Sequence, residues 1–273
     1  MTSDINLELA AGKRFEFGKN WSRFLTTVND NRILEAERSL KEMLGVSDLA
    51  GKTWLDIGSG SGLFSLAARR LGARVYSFDY DPDSVACTTL LRSRFFPDDP
   101  EWKVEQGSVL NPEYLKSLGK FDVVYSWGVL HHTGQMWNAI ENAAIPVAPG
   151  GKLFIAIYND QGLRSDIWLK IKQLYCSGSL GRNFILAVFI PYFFTRSLLK
   201  CIVTGKNVFK NYKKERGMSI YYDWVDWLGG LPFEVSTPRK IIEFLNARGF
   251  TLTTKHTTRS LGNNQFIFIK SDV

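Results

Sequence analysis

The run Gly58-Ser59-Gly60-Ser61-Gly62 directly follows the apolar stretch Leu55-Asp56-Ile57. Glycines at a strand-to-helix junction let the backbone turn tightly and let a ligand approach where a Cβ would obstruct it. Asp79 lies 21 residues past Gly58 and closes a second β-rich run, Val75-Tyr76-Ser77-Phe78-Asp79. A carboxylate at that strand tip can accept both hydroxyls of a ribose. A third apolar run ends in Ser126-Trp127-Gly128-Val129-Leu130-His131-His132. Imidazoles exchange protons near neutral pH, so these two histidines are candidate bases; alternatively one packs beneath a ligand and the other only hydrogen-bonds. The turn spacing is G-x-G-x-G, with Leu63 where a dinucleotide fingerprint would place its third glycine.

These residues need strands and helices to position them. From Leu49 to Ile157, β-rich runs alternate with helix-period segments, which predicts βαβ units and a parallel sheet. Strands are expected at Thr53 to Ile57, Arg74 to Phe78, Trp102 to Gln106, Phe121 to Ser126 and Lys152 to Ile157. Helices are expected at Asn31 to Leu44, Leu63 to Leu71, from Asp81-Pro82 to about Phe95, and from Met136 to Val147. The Pro149-Gly150-Gly151 turn leads into the fifth strand. Near the end, a helix from Pro238 to Arg248 precedes strands Phe250 to His256 and Gln265 to Ile269, close enough to pair antiparallel. The aromatic arm Phe15 to Trp21 either packs on this core or covers a ligand.

Taken together, the motifs resemble the class I S-adenosylmethionine-dependent methyltransferases, and in particular the ubiquinone-biosynthesis and related small-molecule enzymes. Asp56 two residues before the first glycine, Gln106-Gly107-Ser108-Val109-Leu110 after the third strand, the Phe121 to His132 segment and Val147-Ala148-Pro149-Gly150-Gly151-Lys152-Leu153 carry that resemblance in order. It covers residues 49–158 closely and 237–270 in outline. The resemblance implies a Rossmann-like seven-stranded, mainly parallel sheet with an antiparallel last strand, and a helical insertion after the fifth. It also implies S-adenosyl-L-methionine as cofactor. Asp56, Gly58, Ser59 and Gly60 would then form the cofactor turn, and Asp79 with Tyr80 would hold the ribose. Gly107, Ser108 and Val109 would flank the adenine, although relatives often carry Asp at the Ser108 position. Trp127 and Trp21 would complete the cofactor set, and His132 and His131 would lie toward the acceptor.

Other chemistries fit less well. The (Asp/Asn/Ser)-Pro-Pro-aromatic motif of base-amine methylases is replaced here by Ser126-Trp127-Gly128-Val129. Cys87 falls inside a helix pattern and reads as a buried small residue, not as the nucleophile of a cytosine C5 enzyme. No acidic cluster suited to a divalent metal is visible, so metal-independent transfer is expected. The scattered cysteines 87, 176 and 201 and a start without a signal sequence point to the cytoplasm.

At 273 residues, 45% hydrophobic and 22% charged, the chain can bury a substantial core and is not disordered. Its net charge of +7 sits in one place: Asp160 to Ile220 holds 11 Lys/Arg against 3 Asp/Glu, and the remainder 23 against 24. The uncharged run Phe184 to Phe194 in this segment has 11 residues and contains Pro191, where a bilayer span takes roughly 20, so a transmembrane helix is not expected. The segment could be a subdomain packing on the core or on a second subunit, a contact with a membrane or lipid-like substrate through 182–216, or, with less support, a nucleic-acid surface. Tyr221 to Glu234 could wall an acceptor pocket, with Asp223 or Asp226 binding polar groups, or Trp224 and Trp227 could be a core stripe.

The chain is thus divided into an arm (1–48, a candidate lid), a cofactor core (49–158), a basic and aromatic cap (159–236) and a completing helix with its strand pair (237–273). The expected reaction is methyl transfer to a small or lipid-like acceptor at oxygen. RNA or glycan methylation and a non-catalytic scaffold are the alternatives, a nicotinamide oxidoreductase is more distant, and oligomeric state is left open.

Overall fold

Seven strands, β1 (Thr53–Ile57), β2 (Arg74–Asp79), β3 (Trp102–Gln106), β4 (Phe121–Trp127), β5 (Val147–Tyr158), β6 (Phe250–His256) and β7 (Asn263–Lys270), form one sheet in the order β3-β2-β1-β4-β5-β7-β6. Within this sheet β1 to β5 run parallel, and β7 lies antiparallel to both β5 and β6. The computed structural model describes residues 28–205, 220–260 and 262–272, with Ala11, Phe15 and Trp21 ahead of them. After β3 the chain crosses back to place β4 on the other side of β1. This reversal opens a crevice beyond the carboxyl ends of β1 and β4, the place where open α/β sheets bind ligands.

Helices α1 (Asp30–Leu44), α2 (Leu63–Arg70) and α3 (Pro82–Phe95) cover one face. On the other lie α4 (Pro112–Ser117), α5 (Met136–Ala143) and α9 (Pro238–Asn246). Local chemistry sets their starts: Asn29, Asp81, Asn111 and Thr237 each accept a first-turn backbone N–H, and proline opens α3, α4 and α9. Between β5 and α9 stand α6 (Leu163–Cys176), α7 (Ser179–Thr204) and α8 (Ile220–Gly229), packed on one another around Tyr175, Ile185, Val225 and Leu228.

The structure departs from the sequence expectations at several elements. The helix from Met136 stops at Ala143, and β5 begins at Val147 instead of Lys152, because Phe121 pairs with Val147 and a register shift carries the Pro-Gly-Gly turn inside the strand. The short α4 was not foreseen. The largest correction concerns the apolar run. Ser179–Thr204 is one helix of 26 residues with Pro191 inside it, long and apolar enough by length and composition to cross a membrane. Polar Thr195 and Ser197 continue the helix instead of ending it, and the Thr195 hydroxyl donates to the Pro191 carbonyl over 2.8 Å. Phe17, Lys206, Lys210, Lys213, Lys214 and Arg216 lie outside the described residues, as do the side chains of Asp223 and Asp226.

Candidate active site

The turn after β1 sits at the switch point and is tied to its neighbours strand by strand. The Phe78 carbonyl accepts from the N–H groups of Gly58 (2.9 Å) and Ser59 (3.1 Å). Gly58 has φ +78°, and a Cβ there would stand 2.5 Å from Val129, so only glycine fits beneath the β4 loop. The side chain of Ser59 meets the Thr88 hydroxyl of α3 at 2.9 Å. Gly60 donates to Asp79 Oδ2 over 2.9 Å, and Asp81 donates to Asp79 Oδ1 over 3.0 Å. The half-buried Asp79 carboxylate thereby fixes the turn from the tip of β2. Trp21 brings its indole to 3.1 Å from where a Gly60 Cβ would be, which places that residue on the glycine turn, while Phe15 lies against Gly229 and Tyr175 of the cap.

Asp56 faces away from this crevice. It is 2% exposed and accepts from the Ser65 hydroxyl at 2.5 Å, which also meets Ser77 at 2.7 Å. Its part is therefore to shape the turn from beneath. Burial pushes its carboxyl up to about 7, against a smaller opposing pull from Ser65. The folded protein thus binds this proton more tightly than the unfolded chain, so the contribution of this group to stability is fullest below about pH 4 and is lost as pH rises toward 7. Asp56→Asn is expected to remove this slope, at most about 4 kcal/mol between those limits, in thermal melts taken across pH. Parallel pH profiles for the two proteins would refute it.

Beyond β3, the Gly107 N–H donates to the Asp79 carbonyl (3.0 Å), and Gln106 Nε2 donates to the Tyr80 carbonyl (3.0 Å), so the two strand tips are cross-linked. Gly107 is required locally: a Cβ there would lie 2.5 Å from the Tyr114 ring. Ser108 Oγ accepts from Leu110 N, which leaves its hydroxyl proton to donate. Val109 is buried, and its carbonyl accepts from Asn142.

Trp127 is 38% exposed at the tip of β4, and the chain then makes a single 3-10 turn, Leu130–His132. His132 Nδ1 is 2.6 Å from the Pro232 carbonyl. A carbonyl only accepts, so Nδ1 carries the hydrogen, and whenever the ring is neutral its basic nitrogen is Nε2. His131 is fully buried between His132 (centroids 4.4 Å) and Tyr158 (4.0 Å). Burial, followed by the neighbouring His132 and Lys172, holds it well below the usual histidine range, so it is neutral. The two predicted histidines therefore occupy different settings, one pinned by a carbonyl and one stacked under a tyrosine.

Of the residues that surround them, sequence reasoning missed Tyr158 and Lys172, whereas Trp227, Phe233 and Glu234 fall within the 221–234 segment it offered as a pocket wall. Tyr158 at the end of β5 packs on Trp227 and Phe233, both at 5.5 Å. From α6, the fully buried Lys172 sends its ammonium over the Trp227 and Phe233 rings (4.5 and 4.9 Å) and donates to the Trp227 carbonyl. Glu234 accepts from Met136 N (2.9 Å) and donates its own N–H to the His131 carbonyl (3.0 Å), joining the cap to the β4 loop. The aromatics of 221–234 were a legible signal; Lys172 lay in an unremarkable helical pattern.

A β7 reversed beside β5 sets this sheet apart from wholly parallel dinucleotide-binding sheets, and the turn spacing does the same. Together they define the S-adenosylmethionine-dependent methyltransferase class of Rossmann-like fold. The sequence pattern of the methyltransferase domain family matches residues 28–197, more than half of the chain, and the chain belongs to that family. A ubiquinone biosynthesis O-methyltransferase of Methylobacterium sp. is 30% identical over 143 residues, covering 52% of this chain and 55% of the relative. The enzyme of the same name from Xanthomonas oryzae pv. oryzae is 36% identical over 114 residues, 41% of this chain and 45% of its own length. The chain therefore aligns with about half the length of the curated relatives it matches. Among solved structures, the magnesium protoporphyrin IX methyltransferase of Synechocystis PCC 6803, with bound SAH, shares the fold at a TM-score of 0.55 and 15% identity, covering 93% of this chain and 94% of that one. An O-methyltransferase family protein from Burkholderia thailandensis does so at 0.54 and 13%, covering 89% and 58%.

Proposed function

We propose that this protein methylates an oxygen of a small, lipid-like aromatic acceptor held between the β4 loop and the cap. The observation that carries this reading is the His132 imidazole, whose Nδ1 meets the Pro232 carbonyl, which makes Nε2 the basic nitrogen of the neutral ring, and whose ring lies against the Tyr158 wall. When bound, S-adenosylmethionine supplies an electrophilic methyl group on a sulfonium. The crevice suits it: the turn has glycines where Cβ atoms would meet Val129 and Trp21, the Asp79 carboxylate stands beside that turn, and Gly107 is tied to the Asp79 carbonyl at the neighbouring strand tip. The chain's own part is positioning, exclusion of water by Tyr158, Trp227 and Phe233, and removal of the acceptor hydroxyl proton by His132 Nε2. The names of the curated relatives, which are O-methyltransferases, support oxygen as the accepting atom.

The test is a panel of acceptors incubated with methyl-labelled S-adenosylmethionine and analysed by mass spectrometry. Phenols bearing an alkyl tail are expected to gain one methyl group on oxygen. Transfer to RNA or to an amine in preference to the phenols would replace this reading.

A further inference from the structure

Helix α7 presents two unlike faces. Its inner side packs on α6 and α8 through buried Ile185 and through Phe193, which lies 6.4 Å from Trp168 and 5.6 Å from Trp224. Its outer side is uncharged along the helix, and the hydroxyl of Thr195, the polar side chain within it, is taken up by the Pro191 carbonyl. At 100° per residue, Leu180, Phe184, Val188, Leu198 and Ile202 fall within an arc of about 80°, and they are 45–87% exposed. No charged residue enters that arc; Arg182, Arg196 and Lys200 lie outside it and are exposed. Monomeric soluble proteins rarely leave so continuous an apolar strip bare.

A helix packed along one side on its own domain cannot be surrounded by lipid, so its length does not make it a span. One apolar face, with cations confined to the opposite side, is instead the pattern of a helix lying in a membrane interface. Charge selects the partner. The sequence from Asp160 to Ile220 carries 11 Lys/Arg against 3 Asp/Glu, whereas the rest of the chain is near neutral, and although Lys172 is buried, Arg164, Lys170, Arg182, Arg196 and Lys200 are exposed among its described residues. Cations near an anionic leaflet each contribute about 1 kcal/mol of attraction. We propose that the outer face of α7 docks the domain on an anionic lipid bilayer, with the helix in the headgroup plane. The docking does not depend on which acceptor is methylated.

The test sediments the full-length protein with phosphatidylcholine vesicles containing about a third phosphatidylglycerol, and with pure phosphatidylcholine vesicles. Binding to the anionic vesicles is expected to exceed binding to neutral ones by about tenfold or more and to weaken with salt. Phe184→Glu/Ile202→Glu is expected to lower it by about tenfold or more, and Arg196→Glu/Lys200→Glu to do the same by reversing charge alone. All four positions are exposed, and unchanged thermal melts would verify that both variants fold. Because the readout needs no methyl transfer, its failure is separable from failure of the catalytic reading. Absence of vesicle binding, or binding that the Phe184→Glu/Ile202→Glu variant retains, overturns the proposal. A dimer that this variant dissociates, without vesicle binding, overturns it in favour of a second copy of the chain.

Discussion

His132→Gln is expected to lower kcat by about 10²- to 10⁴-fold, the range over which a positioned base accelerates proton transfer, while leaving S-adenosylmethionine affinity unchanged. The reason lies in the bond to Pro232. It commits Nδ1 as a donor, which makes Nε2 the basic nitrogen of the neutral ring, and a glutamine amide has no comparable basicity at either position. Wild-type kcat is expected to rise with pH as the base loses its own proton, and that rise should vanish in the variant. His131 cannot substitute, because it is fully buried and stacked on Tyr158, and burial disfavours the imidazolium it would become on taking a proton. Steady-state kinetics on the best acceptor from the panel, together with calorimetry for the cofactor, provide the check. A kcat within about threefold of wild type would remove His132 from proton transfer.

Asp79→Ala has the second large effect, on binding. Hydrogen bonds to a charged acceptor contribute about 1.5–3 kcal/mol each, so losing two ribose contacts weakens S-adenosylmethionine binding by about 10²-fold or more. The same carboxylate accepts from Gly60 and Asp81, so its removal also frees the turn it holds. Asp79→Asn separates these effects: its amide oxygen can still accept from Gly60, and a smaller loss, about tenfold, is expected. Calorimetric titration measures both, with NADH as a control that should not bind any of the three proteins. Equal affinities for S-adenosylmethionine across them would place the ribose elsewhere.

The cofactor half was legible because its chemistry is local. Gly58 to Gly62, Asp79 and the strand pattern around them are close in sequence to the elements that position them, and β1, β3 and β6 match their expected bounds residue for residue. The acceptor half was not, because its contacts are long-range. Lys172 and Trp227 meet across 55 residues, and His132 and Pro232 across 100; no periodicity within either segment encodes such pairings. The Pro191 case has a different cause. Proline usually interrupts a helix, but α6 and α8 pack along α7 and keep it continuous on both sides of that residue.

The position of β7 also has a consequence for biosynthesis. It is the last of the seven strands to leave the ribosome, yet it is inserted between β5 and β6. Until it arrives, β5 presents an unpaired edge whose residues Leu153 to Ile157 are uninterruptedly apolar, the kind of edge that recruits strands from other chains. The strands that build the cofactor crevice, β1 to β4, can already pair by then, because they lie on the far side of β5. Ribosome-bound nascent chains would therefore pass through an interval in which the nucleotide-binding half is assembled and the rest is still sticky, when a chaperone matters most.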